Sequence, residues 1–280
     1  RSGINWIDTA PTYGDTRSES ALGILLTAAH ENIQVSTKVT IDTRDPDYYG
    51  QVERSLTSSL KRLNRDQVTL IQLHNPIGRE TKASVIGINE VMKPHGVLDA
   101  FDNMKMQGLA QHIGITGLGE TPALIRIIKS NRLATIQLLY NLLNASAGIS
   151  LPSSWSCYNF TGLIDTCFEH DVAVFGIRAF AAGILATEKR HGREQPLTSP
   201  DTVASEEIKQ QHLSQALYGN PNPQVKLALR FALSQPRIDA IIIGLAERKH
   251  LEVALEAEES GPLDAASLKQ IQQAWGSFHT

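Results

Sequence analysis

Short apolar runs alternate with amphipathic segments along almost the whole chain, and this alternation most limits its fold. Runs such as Ile33–Val39 and Val68–His74 have the length and β-branched content of buried strands. Segments such as Tyr48–Leu63 place apolar residues at helical spacing. Strands that alternate with helices pair in parallel, because each crossover helix returns the chain to the same end of the sheet. The pattern therefore predicts an α/β fold with seven parallel strands.

The predicted elements suit one domain over residues 1–280, a (β/α)8 TIM barrel with about seven strands. The predicted strands are Ile4–Asp8, Ile33–Val39, Val68–His74, Gln111–Thr116, Ala134–Leu139, Val172–Ile177 and Ile238–Ile243. The predicted helices are Ser18–Ala29, Tyr48–Leu63, one within Gly87–Gly108, Thr121–Ser130, Thr161–Glu169, Asn222–Ser234, Lys249–Glu258 and Ala265–Phe278. A doubly wound sheet is the second interpretation. It would need a glycine-rich G-x-G-x-x-G turn, and the sequence contains none.

Composition excludes several classes of function. The apolar fraction is 41% and the net charge is −3, with both signs dispersed, so no basic footprint for nucleic acid is present. No apolar run approaches the roughly 20 residues that span a bilayer. Cys157 and Cys167 are predicted to be two reduced thiols rather than a disulfide, and no metal site is predicted. A cytoplasmic location is the default expectation.

Three consecutive predicted strands end in titratable residues, and these are the candidates for chemistry. Asp8 ends the first strand, with Tyr13 in the loop after it; Lys38 and His74 lie near the ends of the next two strands. The carboxyl ends of parallel barrel strands share one face, where barrel enzymes keep their chemistry. A phenol ordinarily ionises near pH ~10 and becomes a useful acid only beside a cation. Lys38 could be that cation and Asp8 its counter-charge, although a barrel lysine could instead form a Schiff base, as in aldolases.

These residues resemble the opening signature of the aldo-keto reductases. The matching residues are Ile7-Asp8-Thr9-Ala10, Tyr13-Gly14, Ser18-Glu19 and Leu22-Gly23, with Lys38 and Leu73-His74-Asn75 following in the family's order. The resemblance, strongest to bacterial-type and sugar-dehydrogenase-like members, runs to about Leu255. It implies that Tyr13 is the general acid/base, that Lys38 and Asp8 support it, and that His74 orients the carbonyl oxygen. It also implies that a β-hairpin and the first barrel strand would precede Ile4, so that this chain is expected to be an N-terminally truncated barrel.

The resemblance also implies a nicotinamide cofactor, NAD or NADP, bound across the barrel mouth. Thr116 and Gln137 would hold the carboxamide, but Gly117 lacks the amide side chain that the family usually has there, and Ile177 is aliphatic where some members stack an aromatic ring. The segment that would wrap the pyrophosphate contains Ile177, Arg178, Ala179, Phe180 and Gly183. The adenosine end would meet Gly244, Ala246, Glu247 and His250.

Cofactor preference and substrate are predicted from fewer residues. Glu247 places a carboxylate near the expected ribose, which favours NAD over NADP, although Arg248 and Lys249 leave NADP open. The substrate pocket would be lined by Trp6, Trp155 and Tyr158, and a small-molecule carbonyl compound or sugar is the expected partner. A second hypothesis, based on Gly117 and Ile177, is a cofactor-binding regulatory subunit with little turnover.

Overall fold

The fold was analysed in a computed structural model that describes residues 3–28, 33–150, 157–190, 192, 194–198, 201–222, 224–245 and 247–276. The strands are β1 (Trp6–Asp8), β2 (Gln34–Val39), β3 (Val68–Leu73), β4 (Ile77–Gly78), β5 (Ile86–Gly87), β6 (Ala110–Thr116), β7 (Thr135–Leu139), β8 (Ala173–Ile177) and β9 (Ala240–Ile241). The helices are α1 (Arg17–Ala28), α2 (Tyr48–Leu63), α3 (Ile88–Met92), α4 (Val97–Met106), α5 (Thr121–Ile128), α6 (Leu163–Glu169), α7 (Val203–Tyr218), α8 (Val225–Leu233), α9 (Arg248–Glu259) and α10 (Ala265–Gly276). A 3-10 turn covers Ala181–Gly183.

Seven strands form a sheet in the order β1-β2-β3-β6-β7-β8-β9, and β4 pairs with β5 separately. This spatial order follows the chain without a reversal, and every pairing described between these strands is parallel. A doubly wound sheet reverses its strand order at a switch point, so this order is that of a (β/α) barrel. The prediction of seven main parallel strands is therefore confirmed.

The chain forms two compact units. The first comprises Arg1–Gln137 with Glu169–Ala173, and the second comprises Leu138–Phe168 with Val174–Thr280. Burial in the first unit follows the predicted helical and strand periods: Val52, Leu56, Leu70 and Phe101 are 0% exposed. The prediction that the whole chain is one domain stays a prediction.

Helix α2 shows how local sequence sets an element of the first unit. The carboxylate of Asp47 accepts a hydrogen bond from the backbone N–H of Gly50, which satisfies one free donor of the first turn. At the other end Asn64 adopts a left-handed conformation with φ 51°, a conformation that asparagine tolerates better than most residues. The helix therefore has the bounds that its sequence predicts, Tyr48–Leu63.

In the second unit an aromatic cluster packs around α10. The ring of Phe231 stacks on Tyr140 at 5.3 Å and meets Trp275 edge-on at 5.6 Å. The indole N–H of Trp275 donates to the backbone oxygen of Leu142 at 2.8 Å. Buried indole N–H groups need such a partner, so this contact joins the terminal helix to the segment after β7. Cys157 and Cys167 are both buried free thiols.

The secondary-structure prediction missed two helices. The helix predicted within Gly87–Gly108 is present as α4, but a further helix, α3, precedes it, and Pro94 separates the two: Lys93 before the proline is extended, and His95 has φ 59°. Helix α7 has no counterpart in the prediction, which placed a loop over Thr187–Ser205 and left the following residues unassigned. Its exposed residues include Ile208 and Tyr218, so its sequence lacks a clean apolar stripe. Across the part of the chain that the structure describes, no helix is long and apolar enough to cross a membrane.

Candidate active site

The loop after β1 carries Tyr13 out of the sheet. The backbone N–H of Tyr13 donates to the oxygen of Ala10 at 3.0 Å, which closes a turn directly after the strand. Gly14, Asp15 and Thr16 then all have positive φ, at 61°, 53° and 66°. This left-handed run reverses the chain into α1. Tyr13 is 40% exposed, so part of this residue is open to solvent.

Lys38 lies beneath this loop and is held by two acceptors. Its Nζ donates to Asp8 Oδ2 at 2.5 Å and to the backbone oxygen of Thr9 at 2.9 Å. The Lys38 side chain is 1% exposed and that of Asp8 is 6% exposed. A buried cation requires such a counter-charge and such hydrogen bonds. An ammonium whose protons are shared in this way is a poor nucleophile, which argues against the Schiff-base interpretation.

Tyr13 and His74 meet at this ammonium. Lys38 Nζ lies 4.6 Å from the centroid of the Tyr13 ring, within the range of a cation–π contact. The imidazole of His74 meets the Tyr13 ring edge-on, with centroids 6.0 Å apart. The structure therefore brings together the four residues predicted to be catalytic, and all four belong to the first unit.

The environment of His74 favours a neutral ring. Burial and, after it, the positive charge of Lys38 lower the pKa of His74 from its ordinary value of 6.5 to about 4, against the opposing effect of the Asp8 carboxylate. At neutral pH a ring with this pKa is uncharged, with one N–H donor and one acceptor nitrogen. A neutral imidazole can donate a hydrogen bond to a carbonyl oxygen without adding a second cation beside Lys38.

The low pKa of His74 predicts a pH-dependent stability. The unfolded chain binds a proton at this residue below about pH 6.5, whereas the folded chain resists it until about pH 4. The free energy of unfolding should therefore fall as the pH is lowered through this window. Urea unfolding across the window should show a smaller fall for His74→Asn than for the native chain. The variant His112→Asn, at an exposed histidine, is the control, and equal slopes for all three proteins would contradict the prediction.

Gln137 and Thr116 lie beside this cluster. Gln137 Nε2 donates to Asp8 Oδ1 at 2.8 Å. The hydroxyl of Thr116 donates to the backbone oxygens of Leu73 at 3.0 Å and His74 at 3.3 Å. Each side chain keeps an oxygen that can accept a further hydrogen bond, as a carboxamide N–H would require. Their role toward a cofactor stays a prediction.

The turn predicted to meet the pyrophosphate belongs to the second unit. Arg178 has φ 62°, its Nη1 donates to the backbone oxygen of Gln195 at 2.9 Å, and its own backbone oxygen accepts from Asn141 Nδ2 at 2.8 Å. Ala181, Ala182 and Gly183 continue with φ of 45°, 56° and 107°. The backbone N–H groups of Ala181 and Gly183 donate within this turn, so these two donors already have partners.

The model of the aldo/keto reductase family matches residues 1–276. The chain belongs to the aldo/keto reductase family. It is 25% identical to aflatoxin B1 aldehyde reductase member 2 of Rattus norvegicus, over 98% of this chain and 77% of that protein.

Two solved structures support the fold. The holo form of the aldo-keto reductase AKR11C1 from Bacillus halodurans superposes with a TM-score of 0.71 at 23% identity, over 98% of this chain and 83% of that one. An aldo/keto reductase from Klebsiella pneumoniae, in complex with NADP and acetate, has a TM-score of 0.68 at 19% identity, over 98% of this chain and 81% of that one. These likenesses, with the strand order, confirm the predicted TIM-barrel fold class. Family membership makes the chain an oxidoreductase.

The remaining predicted site residues are divided between the two units. In the second unit Ile177, Ala179 and Phe180 flank Arg178, whereas Gly244, Glu247 and His250 lie exposed before and within the start of α9. Tyr158 tilts against Phe160 at 4.8 Å. Trp6 belongs to the first unit, where its indole N–H donates to Ser36 Oγ at 3.1 Å. Trp155 and Ala246 lie outside the described residues.

The sequence interpretation missed two polar residues that contact Asp8. Ser36 Oγ donates to Asp8 Oδ1 at 2.6 Å, and Gln72 Nε2 donates to the same oxygen at 3.2 Å. Their spacing along the strands could have identified them, because side chains two residues apart on a strand share a face. Ser36 precedes Lys38 by two residues and Gln72 precedes His74 by two. Both therefore had to point toward the predicted catalytic residues.

Proposed function

We propose that this aldo/keto reductase transfers hydride between a nicotinamide cofactor and the carbonyl or hydroxyl carbon of an aldehyde, ketone or aldose, with Tyr13 as general acid/base. The observation that carries the proposal is the position of the Lys38 ammonium, 4.6 Å from the Tyr13 ring and tied to Asp8 at 2.5 Å. A cation held there favours the phenolate form of a neighbouring phenol. That is the condition under which a tyrosine can exchange a proton at working pH.

Each residue of the cluster has a different role in this mechanism. In carbonyl reduction the Tyr13 hydroxyl gives its proton to the oxygen of the substrate, and in alcohol oxidation the phenolate takes that proton back. Lys38 stabilises the phenolate, and Asp8 keeps Lys38 charged and in place. The neutral ring of His74, edge-on to Tyr13 at 6.0 Å, donates a hydrogen bond that fixes the same substrate oxygen.

The second unit offers backbone features suited to a dinucleotide. A side-chain carbon built on Gly183 or on Gly244 would meet no other atom within 4 Å, so an anion can approach the backbone closely at both. Arg178, whose backbone oxygen accepts from the N–H of Ala181, adds a positively charged residue to the turn that contains Gly183. In the first unit, Thr116 and Gln137 would hold the carboxamide. When bound, the nicotinamide supplies the hydride in reduction and accepts it in oxidation.

We expect NAD to bind more tightly than NADP because Glu247 is exposed at the N-terminal end of α9, where its charge would repel a 2′-phosphate. The dissociation constants of NADH and NADPH, measured by quenching of protein fluorescence, should favour NADH. Glu247→Gln should reduce the difference between the dissociation constants of NADH and NADPH, whereas Glu258→Gln, at the far end of the same helix, should leave it unchanged. Tighter binding of NADPH, with little effect of Glu247→Gln, would instead place Arg248 or Lys249 at the ribose.

The proposed function is tested by following cofactor absorbance in both directions over a panel of aldehydes, ketones and aldoses. The panel includes aldehydes because a relative from rat is named as an aldehyde reductase. Steady turnover with at least one class supports the proposal. Tight binding of NADH or NADPH without turnover on any compound would reject it in favour of the regulatory-subunit hypothesis.

A further inference from the structure

The Asp8 carboxylate accepts more hydrogen bonds than its pairing with Lys38 requires. Oδ2 takes the ammonium at 2.5 Å. Oδ1 takes three further donors: Ser36 Oγ at 2.6 Å, Gln137 Nε2 at 2.8 Å and Gln72 Nε2 at 3.2 Å. These donors come from β2, β7 and β3, so the arrangement is built by several strands rather than by one local turn.

We propose that Ser36 and Gln72 are positioning residues that draw the negative charge of Asp8 toward Oδ1, and so leave more of the positive charge of Lys38 to act on Tyr13. The inference rests on the proposed function, in which Tyr13 exchanges the proton. Hydrogen bonds from neutral donors to a carboxylate are charge-assisted, and they weaken its attraction for a further cation. Asp8 then fixes Lys38 in position without neutralising it fully.

Ser36 is placed so that its proton points only at Asp8. The residue is 0% exposed, and its backbone is paired in register with Asp8 across the parallel strands β1 and β2. Its oxygen accepts the indole N–H of Trp6 at 3.1 Å. Because a hydroxyl has a single proton, the contact with Trp6 leaves that proton for Asp8 Oδ1 and polarises the hydroxyl toward it.

The side chain of Gln72 has an unfavourable orientation that its contact with Asp8 explains. The residue is 0% exposed, and among the described residues its Oε1 has no hydrogen-bond partner. A buried amide oxygen without a partner is unfavourable. Turning the amide around would place that oxygen against the Asp8 carboxylate, which is worse. The orientation with Nε2 toward Asp8 is therefore set by the negative charge.

The charged and titratable groups of this cluster are few. Asp8 comes from β1, Lys38 from β2, His74 from the end of β3 and Tyr13 from the loop after β1, whereas β6 and β7 contribute neutral side chains. His74 is uncharged at neutral pH, since its pKa is about 4. The charge acting on Tyr13 is therefore mainly the balance between Lys38 and Asp8, which the donors on Oδ1 adjust.

The proposal predicts that the two reaction directions respond differently. Ser36→Ala and Gln72→Met should each move the pH midpoint of the oxidation rate upward by roughly half a unit to one unit, because each removes a hydrogen bond from the Asp8 carboxylate and so strengthens its neutralisation of Lys38. Oxidation, which needs the phenolate, should slow about three- to tenfold below that midpoint. Reduction, which needs the phenol, should keep its rate there. A merely destabilised protein would lose both activities together.

Two measurements test this in the full chain. The first is the pH profile of turnover in each direction. The second is an ultraviolet titration of the Tyr13 phenol, taken as the difference between each protein and the same protein carrying Tyr13→Phe. Thr37→Val is the matched control, because its hydroxyl donates to Glu19 at 2.6 Å from the same strand. Ser36→Thr, which keeps the hydroxyl, should have the native midpoint, and Gln72→Met tests the inference by itself if Ser36→Ala does not fold.

The outcomes separate the inference from the proposed function. An upward shift in both variants, with none in Thr37→Val, supports the inference. Midpoints unchanged in both folded variants overturn it. The third outcome is that the native chain shows no turnover in either direction, while the phenol titration still shifts in both variants. This would support the charge effect and reject the proposed function.

Discussion

Tyr13→Phe should lower turnover by about 10²- to 10⁴-fold, the range typical for the loss of a general acid/base. The substitution removes only the hydroxyl. The ring that lies 4.6 Å from Lys38 Nζ and 6.0 Å from the His74 ring is kept, so the fold and the contacts of the ring should persist. Turnover is measured from cofactor absorbance under saturating substrate, and the dissociation constant of the reduced cofactor is measured beside it. We expect the loss in the rate and not in cofactor binding.

Tyr49→Phe is the matched control for this substitution. Its hydroxyl is exposed and contacts Glu53 at 3.0 Å and Gln107 at 3.0 Å, on helix α2 rather than at Lys38. Removal of this hydroxyl should leave turnover unchanged. If Tyr13→Phe also left turnover unchanged in an active protein, the proton would have to come from another group, and His74 would be the next candidate.

The catalytic candidates could be predicted from sequence because the order of the strands alone is enough to place them together. Asp8, Lys38 and His74 each lie near the carboxyl end of a strand, and parallel pairing alone brings such ends to one face. The hydrogen bonds on Asp8 required a second step, the alternation of side chains along each strand. Ser36 and Gln72 look like ordinary polar strand residues until they are seen on the same face as Lys38. Which nitrogen or oxygen they would present could not be read from sequence.

Helices were predicted well where the apolar stripe was clear and poorly where it was not. Leu56 and Leu63 mark the buried face of α2, and that helix was found at its predicted bounds. Pro94 separates α4 from α3, which has no counterpart in the prediction, since proline forces the preceding residue out of the helical conformation. Helix α7 begins with a capping box, in which Thr202 and Ser205 bond each other's backbone. Serine at the second position is not the Glu or Gln of the usual motif, and the start was missed.

The second unit was less predictable than the first for a physical reason. Several of the predicted cofactor residues there would act through backbone N–H groups, whose direction depends on φ and ψ rather than on residue type. Three consecutive residues at Ala181–Gly183 have positive φ, although alanine disfavours this conformation and gives no sign of it in sequence. Side-chain chemistry, as at Lys38, is visible in a sequence; backbone chemistry of this kind is not.

Arg62→Met should destabilise the protein by about 3 kcal/mol, because it leaves a buried carboxylate without its cation. Glu19 of α1 is 0% exposed, and Arg62 Nε of α2 donates to its Oε2 at 2.7 Å. The other oxygen of Glu19 accepts from Thr37 Oγ1 at 2.6 Å. Since Thr37 adjoins Lys38 on β2, the Glu19–Arg62 pair joins both helices to the strand that carries Lys38. Urea unfolding with circular dichroism measures the change.

The methionine of this variant retains the length of the arginine stem, so the loss should come from the charge rather than from a cavity. Arg54→Met on the same helix is the control. Its contacts with Asp45 at 4.0 Å and Asp47 at 3.3 Å are solvent-exposed, and exposed pairs contribute at most about 1 kcal/mol. Arg62→Met combined with Glu19→Gln should recover part of the loss, because no uncompensated charge then remains. If Arg62→Met without Glu19→Gln were as stable as Arg54→Met, Glu19 would have to take up a proton or reach water when Arg62 is removed. The ion pair would then not be needed to hold α1 against β2.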